Sequence, residues 1–74
     1  MIQTLEDLER WCTDNLACDE VGAIAVARAM WEREDFPHPR GHPADQSAIE
    51  DFLEHVDIGW VYDIANNAEE DETT

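Results

Sequence analysis

The segment Val21–Trp31 constrains the fold more than any other part of the chain. Its only charged residue is Arg28, and alanine stands at positions 23, 25, 27 and 29. A helix that is apolar nearly all round does not lie on a surface. It is either central in its fold or sandwiched between two copies of the chain. Asp19 is placed to cap it, so the helix is expected to begin at Glu20. It must end before Pro37, because the residue preceding a proline is pushed away from helical geometry. Small alanine side chains allow a partner helix to come close.

The rest of the chain supplies partners for that helix. Thr4 followed by Asp7 resembles a capping box, and Leu5, Leu8, Trp11, Cys12 and Leu16 fall at helical spacing, which predicts a first helix from Leu5 to Leu16. Glu6, Asp7 and Glu9 sit in its first turns, where the helix dipole favours them. Three prolines and a glycine in Phe36–Pro43 predict a long loop rich in proline and histidine. Beyond it, Ser47 with Glu50 matches a capping box, and Asp45 is an alternative cap two residues earlier. Ile49, Phe52, Leu53 and Val56 form the apolar face of a third helix, and Glu50, Glu54 and Asp57 a separate acidic stripe. From Val56 to Ile64 the pattern fits both a strand and a helix. A lone strand would have no partner, so a fourth helix is expected, capped by Asp57. The expected fold is all-α: a compact bundle of about four short helices forming a single domain over residues 1–68, followed by a disordered acidic tail over 69–74. In a chain of 74 residues one core is barely sufficient, and a homodimer through the alanine-rich face of the second helix is one way to enlarge it.

Charge excludes whole classes of function. The chain carries 19 Asp and Glu against 4 Arg and no Lys, for a net charge of −15. Gripping nucleic acid through its phosphates needs a basic stripe, and so does holding an anionic membrane. Schiff-base and phosphate-gripping lysines are impossible. No apolar stretch approaches a membrane span, and Met1–Asp7 has neither a basic region nor a long apolar run, so a cytoplasmic protein with thiols rather than disulfides is expected.

Two kinds of chemistry can be weighed and set aside. Cys12, Cys18, His38 and His42 give C-x5-C and then H-x3-H; the histidine spacing suits zinc and the cysteine spacing does not. Cys12 also falls on the apolar stripe of the first helix, where a thiol is a small core residue. The expectation is two buried cysteines, two loop histidines and no metal or other cofactor. Asp51 and His55 form an i, i+4 pair with Glu54 beside them, but so small a domain offers no deep pocket to perturb them, and no nucleophile motif or glycine-rich phosphate loop is present. An enzyme is not expected.

The acids themselves are the better candidate. They greatly outnumber the cations, and Glu32, Glu34 and Asp35 crowd the end of the second helix while Glu54 and Asp57 crowd the end of the third. The helix dipole disfavours exposed anions there by roughly 0.3–1 kcal/mol each. Carboxylates at i, i+3 and i+4 lie about 5–6 Å apart between Cβ atoms, and duplex DNA carries one charge per ~1.7 Å of axis, so acidic helices can imitate a stretch of phosphate backbone. Glu32, Glu34, Asp35, Glu50, Asp51, Glu54 and Asp57, with Asp63 in support, are the expected partner-binding residues. Reversing Glu50, Glu54 and Asp57 together is the expected way to abolish binding.

In size, charge and helical pattern the chain resembles the small acidic inhibitors encoded by phages, the DNA-mimicking anti-restriction and anti-CRISPR proteins. That resemblance implies a bacterial host cytoplasm and a partner such as a CRISPR effector subunit or another basic nucleic-acid-binding protein, with no nucleic acid bound directly. A narrower resemblance lies in Phe36-Pro37-His38-Pro39-Arg40-Gly41, which is similar to the H-P-x-G turn before the third helix of the colicin nuclease immunity proteins. Their S-D-L-I and paired-tyrosine signature does not follow here. This second resemblance implies an immunity protein or antitoxin neutralising a basic nuclease. A non-catalytic regulatory interaction domain is the remaining alternative.

Overall fold

The computed structural model describes residues 1–72, with side chains described over 1–68; the acidic tail expected over 69–74 lies outside those fully described residues. Four helices follow one another: α1 (Leu5–Asn15), α2 (Glu20–Trp31), α3 (Pro43–His55) and α4 (Ile58–Glu72). There is no strand among the described residues, and the fold is all-α, as the periodicity predicts.

Local signals place most helix ends. Thr4 Oγ1 accepts the Asp7 N–H at 3.2 Å, and the Asp7 carboxylate accepts the N–H groups of Gln3 and Thr4 at 3.0 and 3.2 Å. Asp19 Oδ1 accepts the Gly22 N–H at 2.8 Å and so caps α2. Asp57 Oδ1 accepts the Gly59 N–H at 2.9 Å at the start of α4, and the segment that fitted both strand and helix is helical.

The third helix departs from expectation. It begins at Pro43, four residues before Ser47, so Ser47 lies inside the helix and caps nothing. Proline is favoured in the first turn, where its missing N–H has no partner to lose. Asp45 closes that end, its carboxylate accepting the N–H groups of Arg40 at 2.6 Å and His42 at 3.1 Å. Gly41, with φ +88°, makes the turn into it that a side chain would strain. At its far end α3 stops at His55, with Val56 as its cap.

The apolar α2 takes the central place, packed between α1 and α4. Ala23, Val26, Ala27 and Met30 of α2 meet Leu8 and Cys12 of α1 and Val61 and Ala65 of α4 in one core, which Ile2, Phe36 and Ile49 complete. Gly22 marks a close approach: a Cβ there would lie 3.1 Å from the Ala65 Cβ. Among the described residues α3 makes no comparable backbone approach to another helix. Its side chains hold it instead. Ile49 is fully buried, Phe52 meets Phe36 edge-on with ring centroids 5.1 Å apart, and the Gln46 carboxamide clasps the Ile2 backbone. In that clasp the Ile2 N–H donates to Gln46 Oε1 at 2.9 Å and Gln46 Nε2 donates to the Ile2 carbonyl at 2.7 Å. The whole molecule measures 41 × 21 × 20 Å along its principal axes.

Candidate functional site

The eight carboxylates singled out from the sequence are all exposed. The structure sorts them into groups that spacing alone does not show. Asp35, Asp51 and Asp57 line one open groove together with Arg33, Pro37, Phe52, His55 and Val56. Glu50 and Glu54 line a separate shelf with Trp11 and Leu53. Glu32 caps α2, Glu34 lies in the turn that follows, and Asp63 stands on α4. The stripe expected of Glu50, Glu54 and Asp57 is therefore divided, because α3 ends before Asp57 and helical spacing no longer applies there.

Arg33 organises the first groove. Its guanidinium forks onto Asp35, Nε to Oδ1 at 2.8 Å and Nη2 to Oδ2 at 2.9 Å. Its central carbon also lies 4.7 Å from the ring centroid of Trp60 and 5.5 Å from that of Phe52. One cation thus joins the turn after α2 to rings of α3 and α4. The hydrogen bonds to Arg33 hold the Asp35 carboxyl below its usual range, and those to Asp35 raise the guanidinium further.

These contacts change which acids oppose the fold. Asp35 is not an uncompensated anion at a helix end, since Arg33 neutralises it. Asp57 lies at the N-terminus of α4, where the dipole favours an anion rather than resisting it. Glu32 and Glu54 remain at helix C-termini, in the unfavourable position.

His55 is the groove's titratable cation. Its Nδ1 lies 2.8 Å from the Asp51 carbonyl and 3.3 Å from Asp51 Oδ1. The backbone carbonyl, then the Asp51 charge, then Glu54 raise its pKa above the ordinary histidine value. Asp51, Glu54 and His55 also bring one potential metal-ligand atom each within 4.8 Å of one another, all exposed.

The cysteine and histidine motif does not assemble into one donor set among the described residues. Cys12 is buried in the core, where loss of water pushes its thiol pKa up to about 12, with Cys18 adding to the effect. Cys18 is half-buried, less than expected. His38 lies edge-on to Trp31 at 4.6 Å, and the backbone of His42 starts α3.

Sequence reading missed Arg33 and Trp11 as parts of these surfaces. The signal for Arg33 was its place two residues before Asp35; its aromatic neighbours come from distant elements. No family model, curated protein or solved structure matches the chain. Among the described residues no helix is long and apolar enough to cross a membrane.

Proposed function

We propose that the chain is a non-catalytic acidic inhibitor that binds the basic nucleic-acid-binding surface of a host defence complex, such as a CRISPR effector or a restriction enzyme, and keeps DNA out. The observation that carries this reading is the density of unbalanced surface charge. The chain carries a net −15, and the eight carboxylates singled out from the sequence are all exposed on a molecule 41 Å long. Such a surface draws a basic partner in quickly by electrostatic steering.

Competition tests the proposal. Purified CRISPR effectors and restriction enzymes are mixed with the chain and with fluorescent target DNA. A stoichiometric loss of DNA binding by one of them, reversed by excess DNA and weakened steeply by salt, is expected. Binding that leaves DNA affinity unchanged overturns it. Neutralisation of a nuclease toxin without competition by DNA marks the immunity or antitoxin reading instead. Charge reversal belongs at Glu50, Asp51 and Glu54, because reversing Asp57 would also remove the cap of α4.

A further inference from the structure

We infer that the shelf between α1 and α3, lined by Trp11, Leu53, Glu50 and Glu54, receives an arginine side chain of the basic partner. The inference rests on the proposed function for there being such a partner, and adds where it is anchored and by what chemistry.

The shelf combines two attractions for one cation. Trp11 is half-buried and lines the depression, and a guanidinium over an indole face is held by the ring quadrupole. Glu50 and Glu54 are exposed and one turn apart on α3. Like charges at that spacing repel by roughly 0.2–0.5 kcal/mol, and a cation between them turns the repulsion into attraction.

Among the described residues neither carboxylate forms an ion pair, although Glu54 stands near His55, which Asp51 already engages. Glu9 has Arg28, Asp35 has Arg33 and Asp51 has His55, while Asp7, Asp19, Asp45 and Asp57 accept backbone N–H groups at helix starts. The side chains of Glu50 and Glu54 take part in no hydrogen bond or ion pair among the described residues. Arg33 shows the same recipe filled from inside the chain: a guanidinium over Trp60 and Phe52, forked onto one carboxylate. The shelf has the ring and two carboxylates but no cation of its own. Arginine suits it better than lysine, because a planar guanidinium can stack and fork at once.

The test titrates the isotopically labelled chain with the capped tripeptide acetyl-Arg-Arg-Arg-amide while following the three tryptophan indole N–H signals by NMR, each assigned with a Trp→Phe variant. The Trp11 signal should shift saturably, with Trp31 and Trp60 little changed. The matching lysine tripeptide should bind about three-fold more weakly or worse. Glu50→Gln with Glu54→Gln should weaken binding by about ten-fold. Glu6→Gln with Asp14→Asn removes the same charge elsewhere and should weaken it by less than about two-fold. All four acids are exposed, so these variants should fold. Equal shifts at all three indoles, or equal weakening by the two double variants, would overturn the shelf in favour of a diffuse field while leaving DNA competition as its own test. Shelf binding without any loss of DNA binding by a partner would overturn the proposed function and not the shelf.

Discussion

The α1–α2–α4 sandwich and α3 are held by different means. In the sandwich, backbones come close over small residues: Gly22 against Ala65, with Ala23 and Ala27 buried on the central helix. Those small residues let Leu8, Val26, Met30 and Val61 be fully buried between closely packed helices. Helix α3 stands off at the reach of larger groups, Ile49 and Phe52 inward and Gln46 toward the N-terminal segment. It also carries Glu50, Asp51 and Glu54 on its outer surface. The comparison teaches that stability and the candidate binding surface reside largely in separate parts of a very small protein. Charge can accumulate on α3 because the closest packing does not depend on it.

The comparison can be broken most severely at the centre. Met30→Ala in α2 removes a fully buried side chain and should cost about 3 kcal/mol, unfolding all four helices together in a denaturant titration followed by circular dichroism. A separate, earlier transition in α3 alone would show that the core is not shared. Gln46→Ala should act on the other region, losing both bonds to Ile2 at a cost of about 1–2 kcal/mol. Hydrogen exchange should then quicken in α3 and the N-terminal segment while α2 keeps its protection. Uniform quickening would mean that α3 is as integral as the sandwich. Arg33→Lys keeps the charge but loses the fork and the stacked plane. A small loss of stability is expected, with Phe52 and Trp60 signals shifting by NMR.

The smallest effect is a titration. Because the folded pKa of His55 is raised, its contribution to stability is fully present below the unfolded value near 6.5 and is lost as pH rises through the folded value. Asp51→Asn should lower the NMR-measured pKa only in part, since the backbone carbonyl at 2.8 Å remains. A complete return to the ordinary value would assign the whole shift to the carboxylate.

Much of this architecture is legible in the sequence wherever the cause is local. Thr4 with Asp7, Asp19 before Glu20 and Asp57 before Gly59 announce three helix starts, and the apolar run after Val21 announces the central element. Local reasoning misplaced the start of α3, because three prolines together read as loop although the last of them, Pro43, opens the helix. It joined Asp57 to the stripe of Glu50 and Glu54 because the apolar period continued through Val56, where the helix has already ended. The clasp of Arg33 by Phe52 and Trp60 depends on long-range packing, as does the meeting of Trp11 with Glu50 and Glu54. No spacing rule along the chain encodes either.

The capping of α4 by Asp57 has a consequence for the groove it lines. One oxygen of that carboxylate is committed to the Gly59 amide. A cation engaging Asp57 from outside must share the carboxylate with the first turn of α4, whereas the Asp51 carboxylate is engaged by the His55 side chain of its own helix. By thermodynamic reciprocity, whatever free energy occupancy takes from the cap is the amount by which fraying of α4 would favour occupancy. The two aspartates have the same charge, but one is wired to the integrity of a helix and the other is not.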